Sequence, residues 1–142
     1  MIQSRYVLIL AALFAAGCSQ PVQRPAATDK AQIHHLAIVW LKQPGDDQLR
    51  RQYIEASRPL AGLPGVVAYQ AGTPAAVQRS RANAALDESY DVAVYGVFES
   101  RQAYEQFLKN PEYVRVAQQV LRPLVEKYKL YEFAEPVWPK LP

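Results

Sequence analysis

Apolar residues follow one another without a polar interruption through the middle of the segment HHLAIVWLK, which runs from His34 to Lys42. A half-buried strand alternates apolar and polar side chains, because successive residues point to opposite faces of the sheet. In a strand from Ile33 to Leu41, the odd-numbered residues form one face and the even-numbered residues form the other. Both faces are apolar beyond the two histidines, so the pattern predicts a strand that is covered on both sides.

The segment after this strand is predicted to form an amphipathic helix. Asp46 or Asp47 has the side chain of a helix N-cap. Apolar residues then recur at helical spacing, at Leu49, Tyr53, Ala56 and Leu60. Prolines and glycines between Pro59 and Gly65 are expected to end the helix.

Two more helices are predicted closer to the C-terminus. Ser100 has the side chain of an N-cap, and apolar residues follow it at one-face spacing. Asn110 is expected to cap a third helix, with Pro111 at the first helical position, where a missing N–H costs nothing. Pro123 is expected to kink or end this third helix.

The remaining strands complete a recognisable order of elements. Further strands are predicted at Val66–Gly72, Tyr90–Phe98 and Lys127–Phe133. The segment from Thr73 to Asp87 is long for a hairpin connection, so it is either a flexible loop or contains a short helical turn. The order β-α-β-β-α-(α)-β is that of an α+β ferredoxin-like sandwich, in which helices cover one face of a four-stranded antiparallel sheet.

The uncovered face of such a sheet predicts a homodimer. Leu36, Ile38 and Trp40 lie together on one face of the first strand and form the candidate dimer face. An exposed row of this kind exceeds the few hundred Å² of apolar patch usual on monomers. A second copy packed sheet to sheet about a two-fold axis would cover it and form a dimeric α+β barrel. The alternative cover is the extended tail, residues 135–142, with Trp138 inserted against the sheet.

The first 17 residues have the composition of a bacterial signal peptide. Arg5 supplies the positive charge, and the apolar run from Tyr6 to Ala16 is shorter than the ~20 residues that span a bilayer. The run leads into LFAAGC, which ends at Cys18, the only cysteine. This stretch resembles the lipobox of bacterial lipoproteins, in which small residues precede a cysteine that is lipidated. An ordinary cleaved signal is the alternative.

The lipobox resemblance implies a membrane anchor at Cys18. A lipobox cysteine carries at least two acyl chains, and two chains hold a protein stably on a bilayer where one does not. Ser19 differs from the Asp that commonly directs inner-membrane retention, which favours the outer membrane, facing the periplasm. Residues 18–32 then form a flexible tether, and residues 33–134 form the folded domain.

Composition and motifs exclude several classes of function. The chain of 142 residues has a net charge of +3 with scattered basic residues, so no nucleic-acid-binding face is expected. No metal site is expected, because His34 and His35 are adjacent on a strand and point to opposite faces. The glycines of GLPGVVAYQAG lack the spacing and the Lys-Ser/Thr of a phosphate-binding loop, and no cofactor is predicted.

Four segments in order resemble the stress-responsive A/B barrel (Dabb) family. They are HHLAIVWLK, LPGVVAYQAG, SYDVAVYGVFESRQAYEQFLKNPEYV and LRPLVEKYKLYEF, and together they span His34 to Phe133. The resemblance implies two sheets, one from each subunit, that close into a barrel at the dimer interface. It also implies a cavity between sheet and helices, which a polyketide cyclase of this fold uses as its active site.

The mechanism of that cyclase does not transfer to this chain as it stands, because its catalytic histidine is replaced. The cyclase's strand-one histidine aligns with His35, but its catalytic histidine lies in an HPxH motif that reads NPEY in this chain. Tyr113 therefore replaces the catalytic base, Asn110 replaces the preceding histidine, and Phe107 replaces a tyrosine. A tyrosine, with a pKa of ~10, is a poor general base at neutral pH.

Three functional hypotheses follow for the domain. The preferred one is a binding or structural module, with His35, Tyr53, Phe107 and Tyr113 around a cavity for a small apolar or aromatic ligand. The second is an enzyme of the cyclase or cofactor-free monooxygenase kind, and the third is a scaffold for protein partners. A competing interpretation has one histidine bonded to a backbone carbonyl and the other solvated. Helical or strand spacing assigns Tyr53, Tyr69 and Tyr104 to core packing.

Overall fold

The computed structural model describes residues 30–136. A four-stranded antiparallel sheet has the strand order β2-β3-β1-β4. The elements in chain order are β1 (Ile33–Leu41), α1 (Asp47–Ser57), β2 (Val66–Gly72), β3 (Val92–Phe98), α2 (Arg101–Lys109), α3 (Pro111–Arg115) and β4 (Val125–Ala134). This order confirms the predicted ferredoxin-like arrangement. The predicted signal peptide, Cys18, most of the tether and Trp138 lie outside the described residues.

Each α-helix of the described range directly follows a capping residue. Asp46 caps α1, since its Oδ1 accepts a hydrogen bond from the N–H of Leu49 at 2.8 Å. Ser100 caps α2, with its Oγ 3.1 Å from the backbone nitrogen of Ala103. Asn110 caps α3 through the N–H of Glu112 at 2.9 Å. The caps predicted from sequence are confirmed, and Asp46 takes this position rather than Asp47.

The helical segments do not stop at the ends of the α-helices. α1 continues as a 3₁₀ turn over Arg58–Gly62, and α3 continues as a π-helical segment over Val116–Leu121. A last 3₁₀ turn, Arg122–Leu124, contains Pro123 and leads directly into β4. The predicted helix end at Pro123 is confirmed. The wider π-helical turn was not predicted from sequence.

The long connection between β2 and β3 is a loop with one turn. The backbone N–H of Leu86 donates to the carbonyl of Asn83 at 3.0 Å, and the Asn83 side chain accepts from the N–H of Ala85 at 3.0 Å. β3 begins at Val92, two residues later than predicted, and β4 begins at Val125, two residues earlier than predicted.

The core lies between the sheet and the helices. Odd-numbered residues of β1 and even-numbered residues of β3 face the helices. This core includes Ala37, Val39, Leu41, Tyr53, Leu60, Val92, Val94, Phe98, Tyr104 and Phe107.

The opposite face of the sheet, here called the outer face, is only partly covered by residues 30–136. Leu36 and Ile38 are half-buried there, while Tyr131 and Phe133 of β4 are 51% and 54% exposed. Tyr131 pairs with Leu36 across the β1–β4 ladder, so these apolar side chains are neighbours on one face.

One member of the candidate dimer face is already covered within the chain. Trp40 is buried, because Lys127 and Lys129 of β4 place their ammonium groups 4.7 and 5.8 Å from the centre of its ring. Its indole N–H also donates to Ser89 Oγ at 3.1 Å. The expectation that Trp40 is an open part of this face is therefore wrong, and Leu36, Ile38, Tyr131 and Phe133 form the open apolar surface.

Candidate functional site

A cavity of about 300 Å³ lies between the sheet and the helices. Its volume is at the lower end of small-molecule sites, which span ~300–1,000 Å³. Aliphatic and aromatic side chains form most of its wall. The aromatic and polar lining residues include His35, Tyr53, Tyr69, Phe98, Tyr104, Phe107, Tyr113, Tyr128 and Glu132.

The structure brings the four predicted cavity residues together. His35 comes from the helix-facing side of β1, Tyr53 from α1, Phe107 from α2 and Tyr113 from α3, and all four line the cavity. The rings of Phe107 and Tyr113 are in contact, with centroids 4.6 Å apart. Ligand binding by these residues stays a prediction.

Contacting aromatic rings give one wall of the cavity its shape. The Phe98 ring lies 4.6 Å from that of Tyr104 and 4.7 Å from that of Phe107, in tilted arrangements that aromatic pairs favour. Gly96 makes room for this wall, because a Cβ at that position would stand 3.1 Å from the Phe98 ring. Gly96 also pairs with His35 across the sheet. The rings and the close backbone approach keep this part of the cavity pre-formed.

His35, Tyr104 and Glu132 form the polar end of the cavity. Glu132 lies directly opposite His35 in the register of β1 with β4. The hydroxyl of Tyr104, reaching down from α2, donates to Glu132 Oε1 at 2.6 Å and lies 3.0 Å from His35 Nδ1. Because the hydroxyl has one proton and gives it to the carboxylate, Nδ1 must carry the proton that joins it to Tyr104. The other ring nitrogen, Nε2, then has a free lone pair.

Tyr104 and Glu132 were not predicted from sequence as residues of this site. Helical spacing assigns Tyr104 to core packing, and the pattern around Glu132 is that of an ordinary exposed edge strand. One signal was present. Tyr128, Leu130 and Glu132 alternate on one face of β4, so a carboxylate follows two apolar side chains toward the helices.

Burial favours the neutral forms of His35 and of the cavity tyrosines. Burial lowers the pKa of His35, although the charge of Glu132 and its hydrogen bond oppose this effect. Burial also raises the pKa of Tyr53, of Tyr113 and of Tyr69, the last to about 12, so these hydroxyls remain protonated at neutral pH. They are hydrogen-bond donors and poor bases.

The hydroxyl of Tyr104 also stays protonated. Burial raises its pKa, and the hydrogen bond to the Glu132 carboxylate raises it further, because ionised Tyr104 would lie against a second negative charge.

The second histidine belongs to the outer face and not to the cavity. His34 Nδ1 lies 2.6 Å from the hydroxyl of Tyr95, its Nε2 lies 3.1 Å from Glu135 Oε1, and its ring stacks on Phe133 at 4.7 Å. Both histidines therefore contact side chains, and the interpretation with one bonded to a backbone carbonyl and the other solvated is wrong.

The cavity lies next to an edge strand. Tyr128 and Leu130 of β4 line it and are about half exposed. Among residues 30–136, β4 pairs only with β1, so no other strand of that range lies beside this margin of the cavity. The cavity is therefore least enclosed along this edge strand.

The described residues contain neither a metal-binding cluster nor a membrane-spanning helix. Between residues 30 and 136, no cluster of three or more His, Cys, Asp or Glu side chains has an arrangement suited to a metal ion. Within the same range, none of the helices combines the length and apolar character needed to cross a bilayer.

Solved structures of the same fold come from several organisms. A Dabb-family protein with a ferredoxin-like fold from Mesorhizobium loti superposes with a TM-score of 0.60 at 18% identity, covering 76% of this chain and 99% of that one. A dimeric ferredoxin-like protein of unknown function from Thermobifida fusca gives 0.57 at 20% identity, covering 74% and 92%. At these identities the likeness concerns the fold.

An enzyme also shares this fold. The hydroxynitrile lyase of Passiflora edulis superposes with a TM-score of 0.60 at 16% identity, covering 78% of this chain and 99% of that one. No curated protein matches the sequence. Residues 33–135 match the family described as the stress-responsive A/B barrel domain, over almost the whole length of the sheet and helices. The chain therefore belongs to the stress-responsive A/B barrel (Dabb) family.

Proposed function

We propose that this protein is a small-molecule-binding module, and that its ligand occupies the cavity between sheet and helices. The observation that carries the proposal is a pre-formed cavity of about 300 Å³ with aromatic walls and one polar end. Such a site offers a ligand burial of apolar surface together with a few fixed hydrogen bonds. The ligand is a small aromatic or otherwise apolar molecule with one hydroxyl or carbonyl group.

The charge of the polar end selects for a neutral ligand. Glu132 carries the negative charge there, and the guanidinium of Arg122, which also lines the cavity, already donates to the carbonyl of Val125 at 2.8 Å. A ligand carboxylate beside Glu132 would add a second negative charge in a poorly solvated space. A phenol or ketone avoids that repulsion and pairs with His35 or with the tyrosine hydroxyls.

The proposal also covers the cellular location of the module and its oligomeric state. The lipobox-like sequence ending at Cys18 supports a lipid anchor in the bacterial envelope, with the domain in the periplasm and held by the outer membrane. The apolar outer face supports a homodimer formed sheet to sheet, and two solved structures of this fold are described as dimeric. Ligand binding, lipid anchor and dimer are separate parts of the proposal and are tested separately.

A cyclase mechanism with Tyr113 as the base has little support. Burial raises the pKa of Tyr113, so the residue in the place of the cyclase histidine is a weaker base than an exposed tyrosine. The stress-related role implied by the family name remains part of the proposal, without a specific residue to carry it.

Ligand binding is tested by thermal unfolding of the protein with 2-naphthol and with 2-naphthoate. We expect 2-naphthol to raise the melting temperature, because a ligand at 100 times its Kd stabilises the folded state by ~2.7 kcal/mol. The anionic 2-naphthoate is expected to bind at least about tenfold more weakly, since a repulsion of ~1.4 kcal/mol lowers an affinity tenfold.

Matched variants locate the binding. Ala117 lines the cavity, so Ala117→Phe should fill it and abolish the 2-naphthol shift. Ala75 is exposed on the β2–β3 loop, and Ala75→Phe should leave the shift intact. Equal shifts in both variants would place 2-naphthol outside the cavity and refute the proposal.

A further inference from the structure

At the polar end of the cavity, His35 donates a hydrogen bond to Tyr104, and Tyr104 donates one to Glu132. We propose that His35, Tyr104 and Glu132 form a proton-accepting triad, in which His35 Nε2 removes a proton from a neutral carbon acid bound in the cavity. This inference rests on the proposed binding function and adds a reaction to it. It also places the base on β1, and not on α3 at Tyr113.

The bond directions leave one ring nitrogen free to act. Tyr104 donates its single proton to Glu132 at 2.6 Å, so His35 Nδ1–H donates to Tyr104 at 3.0 Å. Within residues 30–136, the side-chain hydrogen bond of His35 is at Nδ1, and the 3.5 Å contact with Glu132 Oε1 is at the same nitrogen. Tyr104 and Glu132 therefore fix both the ring orientation and the tautomer, and they are positioning residues, whereas His35 is the group that touches the substrate.

The triad connects the cavity with solvent. The side chain of His35 is 17% exposed, whereas that of Glu132 is 48% exposed. Tyr104 and Glu132 also line a second, more open hollow, beside Arg101 and Glu105 of the described chain. A proton accepted inside the cavity can thus leave at the surface through Glu132.

The transfer balances without any further reactant. The C–H bond of the substrate breaks, its electron pair stays on the substrate, and the proton goes to His35 Nε2. The Nδ1 proton passes to the hydroxyl oxygen of Tyr104, whose own proton passes to Glu132 Oε1. Glu132 becomes a neutral carboxyl and later releases the proton to water. The net result is that one negative charge moves from Glu132 to the substrate.

Other groups around the cavity suit the charge that develops on the substrate. Tyr53, Tyr69 and Tyr113 line the cavity from α1, β2 and α3 and remain protonated, so they can donate to an oxygen that becomes negative. Pre-oriented donors of this kind stabilise an enolate or phenolate oxygen. The substrate class is therefore a neutral, largely apolar molecule whose acidic C–H is adjacent to an electron-withdrawing group such as a carbonyl.

The remaining titratable groups near His35 do not compete for its proton. Arg122 lines the cavity, with its guanidinium bonded to a backbone carbonyl, and Tyr128 lines it from β4. A guanidinium has five N–H donors and no acceptor, so Arg122 does not take the proton from His35. Glu132 is thus the one carboxylate among the residues that line the cavity.

The probe for proton removal is 5-nitrobenzisoxazole, an apolar bicyclic compound with one acidic C–H. When a base takes that proton, the N–O bond breaks, a nitrile forms and the electron pair leaves on a coloured phenolate. We expect the full chain to open this ring on the order of 10²-fold faster than His35→Gln, the lower end of what a positioned base contributes. The rate should rise with pH and level off, with its midpoint below ~6.5, the ordinary histidine value.

The positioning roles are tested by the shape of the pH profile. Tyr104→Phe should lower kcat by on the order of tenfold, less than the loss of the base itself, with KM unchanged. Glu132→Gln should also lower kcat and should move the midpoint to lower pH, because the charge of Glu132 supports protonation of His35. Glu99→Gln, which is exposed between β3 and α2 and lines neither hollow, is the control and should change neither quantity.

Binding and proton transfer are separated by competition with 2-naphthol. If 5-nitrobenzisoxazole displaces 2-naphthol but is opened no faster than by His35→Gln, the triad is refuted while the binding function stands. If neither compound binds, both proposals fall. Tyr104→Phe removes only one oxygen atom and preserves the ring that packs on Phe98, so it keeps the test valid should His35→Gln unfold the protein. The triad is supported if the full chain accelerates the opening of 5-nitrobenzisoxazole and if both His35→Gln and Tyr104→Phe lose this acceleration.

Discussion

His35 Nδ1 lies 3.0 Å from the hydroxyl of Tyr104, and this contact joins the central strand β1 to helix α2. The two rings are tilted against each other, with centroids 5.8 Å apart. A protonated imidazole would have to lose its hydration in this place. Burial accordingly lowers the pKa of His35 in the folded protein, against the opposing influence of Glu132.

The lowered pKa predicts a specific loss of stability in acid. Between the folded-state pKa and the ordinary value of ~6.5, the unfolded chain binds the proton more readily than the folded chain. The contribution of His35 is therefore complete above pH ~6.5, falls as the pH decreases below it, and levels off below the folded-state pKa.

Urea unfolding of the wild type and of His35→Gln measures this contribution. We expect the wild type to lose more free energy of unfolding than the variant between about pH 7.5 and pH 5. His34 is present in both proteins and cancels in the comparison. An equal loss in the two proteins would show that His35 titrates normally in the folded state.

The ion pair between Arg50 and buried Asp91 lies at the other end of the sheet, and we expect its removal to cause the largest loss of stability. Asp91 is 1% exposed and accepts hydrogen bonds from Arg50 at 2.9 and 3.1 Å and from the backbone of Leu41 and Gly45. Burial alone would raise the pKa of Asp91, but the hydrogen bonds from Gly45, Leu41 and Arg50 outweigh it and lower the pKa.

Asp91→Ala should therefore cost about 3–5 kcal/mol of unfolding free energy, because it leaves Arg50 and two N–H groups without their acceptor. Asp47 is the matched control, since it contacts the same Arg50 at 3.4 Å but is 78% exposed. Asp47→Ala should cost less than about 1 kcal/mol in chemical denaturation. Similar costs for both variants would contradict the distinction between the buried and the exposed pair.

The outer face predicts the oligomeric state. Tyr131 and Phe133 extend the apolar surface of Leu36 and Ile38, so a second copy should pack there. In sedimentation of a Cys18→Ser chain, we expect a dimer that becomes a monomer when Tyr131→Glu and Phe133→Glu are combined. Val77 is equally exposed but lies on the β2–β3 loop, and Val77→Glu should remain dimeric. A monomeric parent chain would contradict the dimer.

The lipid anchor makes an independent prediction. Cells supplied with radiolabelled palmitate should incorporate the label into the wild type and recover the protein with the outer membrane. Cys18→Ala should lose the label and leave the membrane fraction, because Cys18 is the only cysteine. Labelling that persists in Cys18→Ala would refute the anchor and leave the fold and the cavity unaffected.

Local sequence signals predicted most of the fold. Asp46, Ser100 and Asn110 cap helices because their short side chains bond to N–H groups only two or three residues away, and such contacts are visible in the sequence. The alternating faces of β1 followed from the strand period in the same way. The cavity between sheet and helices was implied by the family resemblance, and the order of elements places the segments of its four predicted residues around it.

Contacts that depend on register could not be predicted. Glu132 meets His35 only because β4 pairs with β1 in one alignment, and a shift by one residue would turn its side chain to the other face. The same alignment places Lys127 over Trp40 and so covers a residue that the strand pattern left open. Tyr104 shows a different limit. Its helical spacing identifies Tyr104 as a core residue, but the partner of its hydroxyl, Glu132, depends on how β4 lies beneath α2.

The central claim is that a ligand binds in the cavity, and the ring signals of the two histidines allow this binding to be measured directly. Only His35 lines the cavity, whereas His34 lies on the outer face. The chain has no other histidine, so each ring gives its own NMR signals. Titration with 2-naphthol should shift the His35 ring signals in a saturable manner and leave those of His34 unchanged. Shifts at His34 alone, or at neither ring, would show that the cavity does not take the ligand.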